Sequence, residues 1–205
     1  MLVSKFNLLL CFQAWSHRQW ILKTVNHQSL WKEELEFNDS LIQKDIRNNS
    51  AWNQRWFTTH EGKGKISPPL SLDKAKREID FGMKKADMDP FNESPWRYIV
   101  AIVQEQHKVL GGAVSQESLD ILTQCEEAIT QIRQNLEKIT GESNQVESTQ
   151  LLSAYVDILE MKQNNEGYAI AVDVTRSLGE VHDPIRVKYW KMRENEILSK
   201  IQASS

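Results

Sequence analysis

A tryptophan box recurs along this chain, and it constrains the fold more than any other feature. Its copies read Ala14-Trp15-Ser16-His17-Arg18, Ala51-Trp52-Asn53-Gln54-Arg55, Pro95-Trp96-Arg97-Tyr98 and Tyr189-Trp190-Lys191-Met192-Arg193. The first three copies lie about 40 residues apart, a period typical of helix-turn-helix repeats that stack because no unit buries its apolar face alone. The longer last interval leaves room for one degenerate copy. The spacing predicts an all-α fold, an alpha-alpha superhelix in which antiparallel helical hairpins form a solenoid.

Each box stands just inside a predicted helix whose start is marked by capping residues. Asn48 precedes the second copy, Asn92 precedes the third, and Asp183 with Pro184 opens the segment that carries Trp190. Asn and Asp side chains satisfy free backbone donors at a helix start, and proline is tolerated at the first helical position. We therefore expect the box helices to begin at these residues.

Amphipathic segments between the boxes supply the other helix of each hairpin. Apolar residues at helical spacing predict such helices over 31–46, 72–86, 119–139 and 166–178, and box helices over 151–161 and 185–198. In the 151–161 segment, Tyr155 is predicted to take the place of the box tryptophan. Clustered glycine and proline predict loops at 60–69, 111–112 and 141–144. No strand is expected.

The charge and cysteine content exclude several classes of function. The chain has 25 Lys and Arg against 28 Asp and Glu, a formal net charge of −3, so neither nucleic acid nor an anionic membrane is an expected partner. Cys11 and Cys125 have no metal-ligand spacing, which favours free thiols in a reducing compartment, with the cytoplasm as the default. The apolar run 8–12 is too short to span a membrane.

Local motifs for catalysis or metal binding are lacking. No two of the histidines, which are His17, His27, His60, His107 and His182, form the i, i+4 pair that places two imidazoles on one metal. We therefore expect exposed or capping histidines, no metal on this chain and, without a phosphate loop or nucleophile motif, no catalytic residue. The acidic runs 32–36 and 126–127 are expected to be solvated helix faces.

The tryptophan and the arginine of a box are three residues apart, so they project from the same side of a helix. We expect the tryptophans to be core wedges, with Trp20, Trp56 and Phe57 completing the same apolar seam. For the arginines, a tie within the core and a contact with a partner protein remain equally open. The candidate residues for the repeat core or a partner interface are Trp15, His17, Arg18, Trp52, Asn53, Arg55, Trp96, Trp190 and Arg193.

Three strings, at 14–20, 31–37 and 45–57, resemble consecutive repeats of the protein prenyltransferase alpha-subunit family. They are most similar to the alpha subunit that protein farnesyltransferase shares with type I geranylgeranyltransferase. The most specific string is Asp-Ile-Arg-Asn-Asn-Ser-Ala-Trp-Asn-Gln-Arg-Trp-Phe at 45–57. The segments 92–96 and 187–190 also match the pattern of the family.

The resemblance implies a crescent of helical hairpins around a beta subunit. Such a heterodimer transfers a farnesyl or geranylgeranyl group from a prenyl diphosphate to the cysteine of a C-terminal CaaX sequence in a protein substrate. The family places the zinc, the prenyl pocket and most diphosphate-binding residues on the beta subunit, with Mg²⁺ accompanying the diphosphate. This chain is then expected to be a non-autonomous subunit that is inactive alone.

The resemblance covers residues 14–200 and only the later repeats of the family. The family has further repeats upstream, including a lysine near the diphosphate, and its Asn-Tyr-His lead-in is replaced here by Cys11-Phe12-Gln13. We therefore expect alpha-subunit repeats at 14–205 after a non-matching segment at 1–13. The chain is expected to be truncated at its N-terminus and to expose an apolar seam there.

Two other functions remain open. One is a helical-repeat scaffold that binds a protein partner without any transferase role. Its hairpins would be tetratricopeptide-like (TPR-like), although the Asn-x-Ala/Pro-Trp lead-in differs from the tetratricopeptide pattern. The other is the alpha subunit of Rab geranylgeranyltransferase, which shares the boxes but usually continues into additional domains.

Overall fold

The computed structural model describes residues 2–61, 69–109, 115–140 and 147–204, with side chains for 13–60, 69–109, 115–138 and 147–203. Its α-helices are α1 Leu2–Val25, α2 Gln28–Lys44, α3 Asn49–Glu61, α4 Leu72–Met88, α5 Glu93–Val109, α6 Gln116–Thr140, α7 Thr149–Met161, α8 Asn165–Ser177 and α9 Val187–Ser204. A π turn at Leu178–His182 and a 3-10 turn at Pro184–Arg186 connect α8 to α9. The described residues contain no strand.

The chain forms two compact units, Met1–Leu70 and Ser71–Ser205. In the first unit α2 packs on α3, and in the second α4 packs on α5, α6 on α7 and α8 on α9. Two packed helices joined by a short connection run antiparallel. The second helix of each pair is the predicted box helix, so the hairpin organisation is confirmed. Within the second unit, α7 also packs on α5 and α8, which stacks neighbouring hairpins.

Capping contacts confirm the predicted starts of the helices that carry Trp52 and Trp96. Asn48 Oδ1 accepts a hydrogen bond from Ala51 N at 3.3 Å, and Asn92 Oδ1 accepts one from Ser94 N at 3.1 Å. These side chains satisfy backbone donors that lack partners within the helix. The third prediction is wrong in detail: the Asp183 side chain makes no capping hydrogen bond, Pro184 opens a 3-10 turn, and α9 begins only at Val187.

Two aspartates end the first helices of the first two complete hairpins in the same way. Asp45 after α2 and Asp89 after α4 both have φ −146°, outside the helical region. Their backbone N–H groups donate to Leu41 O at 2.9 Å and Lys85 O at 3.2 Å. After each of these aspartates, the backbone reaches the start of the next box helix within a few residues.

The degenerate copy does not use the residue predicted for it. Trp52 and Trp96 are each the fourth residue of their helix, and the fourth residue of α7 is Leu152, which is 1% exposed. Tyr155 lies three residues further on, at the position that corresponds to the box arginine. The prediction that Tyr155 replaces the tryptophan is therefore wrong, because the helix start at Ser148 sets the alignment and the aromatic ring does not.

The cores of the two units are built from different helices. Leu22, Trp31 and Phe57 form the core cluster of the first unit. The second unit buries a longer series that includes Trp96, Ile99, Ile102, Leu122, Ile129, Leu151, Leu152, Ile158, Leu159, Leu178 and Trp190. Gly82 lets α4 approach α5 closely, because a Cβ atom there would lie 2.6 Å from Ile99 Cγ1.

The remaining sequence predictions concern the segments between helices and the N-terminal boundary. The predicted loops at 111–112 and 141–144 lie outside the described residues, and so do residues 62–68 of the loop predicted at 60–69. Helix α1 runs without interruption across the predicted boundary between residues 13 and 14. Within the described ranges, no helix combines the length and apolar character needed to cross a bilayer.

Candidate partner-binding surface

Three box tryptophans are buried and hydrogen bonded at the start of their helices. Trp52 and Trp96 are each 2% exposed, and Trp190 is 1% exposed. The indole N–H of Trp52 donates to Ile46 O at 2.9 Å, and that of Trp96 donates to Pro90 O at 2.8 Å. Trp190 donates instead to Asp183 Oδ2 at 2.8 Å. Each indole ring is buried in the core and hydrogen bonded to the segment that precedes its helix, so it anchors that segment to the core.

Trp15 differs from the other box tryptophans because it lies in the middle of a long helix and not at its start. Its ring is only partly buried. With Ile21 and Phe37 it lines an open, mainly apolar groove of about 350 Å³ between α1 and α2. Trp20, which was predicted to complete the apolar seam, is 60% exposed and stacks on His17. That prediction is wrong for Trp20, whose place on α1 points away from Leu22.

The three box arginines all form ion pairs within the chain. Arg18 Nε lies 2.7 Å from both carboxylate oxygens of Glu34 on α2. Arg55, whose side chain is 5% exposed, pairs with Asp39 on α2. Arg193 pairs across to α7. The arginines therefore tie the box helices to neighbouring helices, and a contact between these arginines and a partner stays a prediction.

Two buried glutamates form contacts that the sequence interpretation missed. Glu34 on α2 is 4% exposed and accepts a hydrogen bond from Gln54 Nε2 at 2.8 Å. Glu78 on α4 is 6% exposed and accepts one from Tyr98 Oη at 2.7 Å. In both hairpins the donor is the second residue after the box tryptophan. Glu34 belongs to the acidic run 32–36, so the prediction of a solvated face is wrong at this position.

The signal for these glutamates is present in the sequence. Glu34 and Glu78 lie at the same distance before Trp52 and Trp96, respectively. A charged residue that recurs at one repeat position on an otherwise apolar face indicates a buried polar pair. Hydropathy alone cannot reveal such a pair, because it scores each residue without its partner.

The other acidic run is also partly enclosed. Glu126 Oε2 lies 2.5 Å from Lys162 Nζ, and both side chains are about four-fifths buried. Tyr155 Oη donates to Glu126 Oε1 at 3.3 Å. The solvated-face prediction is therefore wrong for Glu126 as well, because α7 covers that side of α6.

Two of the five histidines are as predicted: His17 is exposed, and His27 caps α2 by accepting from Ser29 N. His107 is half-buried, with Nδ1 3.3 Å from Ser118 Oγ. His60 is buried with its ring on Trp56, and the His182 side chain is 7% exposed beside Glu147. The prediction of exposed or capping histidines is wrong for His60 and His182, because neighbouring side chains cover their rings.

No cluster of three or more potential metal ligands occurs among the residues that the structure describes. Cys125 is buried on α6, and burial raises the pKa of its thiol to about 12. A thiol with such a pKa is not a nucleophile near neutral pH.

Three candidate residues are exposed on box helices, His17, Arg18 and Asn53, and of these Arg18 is engaged in the ion pair with Glu34. The residue directly after the box tryptophan points outward in each tryptophan-bearing copy, and Asn53, Arg97 and Lys191 all hold this position. Each of these box helices thus buries the side that carries its tryptophan and leaves the adjacent side exposed for contacts.

A cleft of about 70 Å³ opens on this outer side in the second unit. Its walls come from α5, α7 and the turn before α9. The polar residues that line it are Glu93, Arg97, Thr149, Gln150, Ser153, Asp157 and Arg186.

Residues 31–61, which run through the α2–α3 hairpin, match the model of the protein prenyltransferase alpha subunit repeat. The chain carries a protein prenyltransferase alpha-subunit repeat. The resemblance predicted from the sequence is confirmed.

Two relatives show the extent of the match. The chain is 29% identical over 173 residues to the protein farnesyltransferase/geranylgeranyltransferase type-1 subunit alpha of Dictyostelium discoideum, covering 84% of this chain. It is 32% identical over 173 residues to the protein of the same name from Pisum sativum, covering 82% of this chain. The chain spans about half the length of these relatives, 47% and 49% respectively.

A solved structure shares the fold. The Candida albicans protein geranylgeranyltransferase-I complexed with GGPP includes a chain that matches with a TM-score of 0.65 and 24% identity. The match covers 95% of this chain and 59% of that chain. The predicted all-α helical-repeat fold is thereby confirmed.

Proposed function

We propose that this chain is the alpha subunit of a heterodimeric protein prenyltransferase. The complex would transfer a farnesyl or geranylgeranyl group to the cysteine of a C-terminal CaaX sequence. The observation that carries the proposal is the match with named alpha subunits along more than four-fifths of this chain. The chain is a subunit of a transferase and has no activity alone.

The geometry of the repeats favours a role for the alpha chain in binding a partner protein and not in catalysis. The box tryptophans and arginines, which dominate the repeat sequence, are used in packing and internal ion pairs. Binding therefore falls to the outward side of the box helices, where His17 and Asn53 are the candidate partner-facing residues. A surface of this kind recognises another protein more readily than a small molecule.

The partner in this proposal is a prenyltransferase beta subunit. It holds the zinc and the pocket for the prenyl diphosphate, with Mg²⁺ accompanying the diphosphate, and this chain binds no metal. The repeats at 14–205 form the beta-binding part, the segment 1–13 lies outside the repeat pattern, and the complex works in the cytoplasm.

Co-expression tests the proposal directly. The chain, tagged at its C-terminus, is produced with the type I geranylgeranyltransferase beta subunit of Pisum sativum, and the tagged material is purified. We expect both polypeptides in a complex that prenylates a CaaX peptide, while neither chain does so alone. Recovery of a folded, helical chain without the beta subunit would reject the proposal, and a complex that lacks transfer activity would favour the scaffold function.

A further inference from the structure

A cleft of about 390 Å³ lies between α4 and α6, which both belong to the second unit. Helix α4 packs closely on α5 and only lightly on α6. Helix α6 packs mainly on α7, where Glu126 pairs with Lys162. The facing sides of α4 and α6 therefore leave a space that their own side chains do not fill. We call this space the α4–α6 cleft.

The floor of the α4–α6 cleft is apolar. Ile79 and Met83 on α4 are buried, and so is Cys125 on α6. Ala128, three residues after Cys125, is half-buried and lies on the same side of α6. The small side chain of Ala128 leaves room above this floor. A ligand with a hydrocarbon part would gain by covering these side chains, because contact with them removes apolar surface from water.

The rim of the α4–α6 cleft carries two cations. Lys76 and Arg77 are exposed and line it, and the side chain of neither pairs with any residue in the described part of the chain. Asp80 is the one acid among the described lining residues, and its Oδ2 already lies 2.7 Å from Lys84 Nζ. The rim is thus locally positive, although the chain as a whole has a formal net charge of −3. A negatively charged group is favoured there.

The charge and the size of the cleft together favour a phosphate monoester with a short apolar chain. Such a phosphate carries about −1.5 to −2 charges near neutral pH, so one group balances both cations, whereas a carboxylate balances only one. The arginine fork can donate two parallel hydrogen bonds to a phosphate, and the lysine adds a point charge. A volume of about 390 Å³ is near the lower end of the roughly 300–1,000 Å³ of small-molecule sites.

We propose that the α4–α6 cleft binds a small phosphate monoester whose apolar chain lies on the floor of the cleft. Lys76 and Arg77 hold the phosphate, and Ile79 and Met83 contact the chain. The ligand binds as a free molecule, because a bilayer surface is recognised by apolar side chains that project outward, and here they are recessed. The inference goes beyond the proposed prenyl transfer and does not rest on it, since every group it uses belongs to this chain.

Octyl phosphate is the probe for this site, and isothermal titration calorimetry measures its binding near neutral pH and below its micelle concentration. Inorganic phosphate and octanol test the two halves of the ligand separately. We expect one octyl phosphate per chain, with each half alone bound about tenfold more weakly or worse. The titrations use the full chain as purified, alone or in the co-expressed complex. Comparison between variant and control removes any contribution of a beta subunit.

A double substitution and a charge-matched control separate a specific site from general attraction. Lys76→Gln with Arg77→Gln removes both rim cations from exposed positions and should weaken octyl phosphate binding about tenfold or more. The control, Lys44→Gln with Lys188→Gln, removes two exposed lysines that do not line the cleft and should change nothing. Ala128→Leu occupies the floor and should weaken octyl phosphate several-fold while leaving inorganic phosphate unaffected. Circular dichroism verifies that every variant is folded.

Equal affinities of the rim variant and its control would overturn the site, and so would the absence of any octyl phosphate binding. Co-sedimentation with phosphatidate vesicles, in a chain that does not bind soluble octyl phosphate, would identify a membrane surface and reject the free ligand. None of these outcomes alters complex formation with a beta subunit. Failure of this site is therefore distinguishable from failure of the proposed function.

Discussion

Arg193 on α9 donates a hydrogen bond to Asp157 Oδ1 on α7 at 2.9 Å, and its guanidinium also pairs with Glu160. Burial raises the pKa of Asp157, and the hydrogen bond from Arg193 opposes that rise. The last box arginine therefore opposes the effect of burial on this half-buried acid.

Replacing Arg193 with methionine should raise the pKa of Asp157 further, because the opposing hydrogen bond and charge are lost. An acid whose pKa is higher in the folded state binds its proton more tightly there, so its ionisation works against folding as pH rises. The variant should therefore gain stability relative to its neutral-pH value as pH falls towards the ordinary value of 3.8. Carbon-13 NMR titration of the Asp157 carboxyl measures the shift.

The control for this titration is Asp157→Asn in the Arg193→Met background. It should remove the added pH dependence of stability, because no titrating group remains at position 157. A pKa of Asp157 that is unchanged or lower in Arg193→Met would contradict the assigned role of the arginine.

Trp52→Ala should destabilise the chain by about 3–5 kcal/mol, because it empties a buried site and deletes the hydrogen bond to Ile46 O. The matched control is Trp20→Ala, which removes the same ring from a site that is 60% exposed. The control should change stability by less than about 0.5 kcal/mol. Urea unfolding followed by circular dichroism measures both, and similar losses in the two variants would refute the distinction.

Gly82→Ala should destabilise the second unit despite the better helix propensity of alanine. Propensity favours alanine by about 1 kcal/mol, but the new Cβ would lie 2.6 Å from Cγ1 of the fully buried Ile99. Overpacking of this kind costs about 1–3 kcal/mol. In an Ile99→Ala background the same glycine substitution should cost less or become stabilising. A double-mutant cycle by thermal unfolding checks this coupling, and simple additivity would rule it out.

Cys125 should react very slowly with Ellman's reagent at pH 8 in the folded chain. Its pKa of about 12 leaves almost no thiolate, and its side chain is buried. The experiment uses the Cys11→Ser variant so that one thiol remains. Reaction should become fast in guanidinium chloride, and rapid labelling without denaturant would show that α6 opens readily.

The sequence predicted the helical framework because short-range signals determine it. Asn48 and Asn92 cap their helices as expected, and the apolar spacing placed α4 and α6 correctly. Such features depend on residues within a few positions of one another. They can therefore be identified without knowledge of the tertiary structure.

Contacts between distant residues were harder to predict. Glu34 is charged and sits in an acidic run, yet Arg18 and Gln54 enclose it. Trp20 and Trp52 have the same hydrophobicity, and only the packing of their helices separates the exposed ring from the buried one. Composition along the chain does not encode which neighbour covers a side chain.

The candidate site was predicted only in part. The box residues were recognised as a unit, and the two roles considered for the arginines were equally compatible with their spacing. The ion pair between Arg55 and Asp39 is visible only once α2 and α3 are packed. The cleft lined by Ser153 leaves no signal in the local sequence, because its walls come from three separate segments, α5, α7 and the turn before α9.

The most direct test of the alpha-subunit function is the mass of the complex formed with the beta subunit. The purified material is passed through a size-exclusion column with light-scattering detection. We predict a single species whose mass equals one copy of this chain plus one beta subunit, with prenyl transfer to a CaaX peptide in the same fraction. Separate elution of a folded chain and a folded beta subunit, with no transfer in any fraction, would contradict the account.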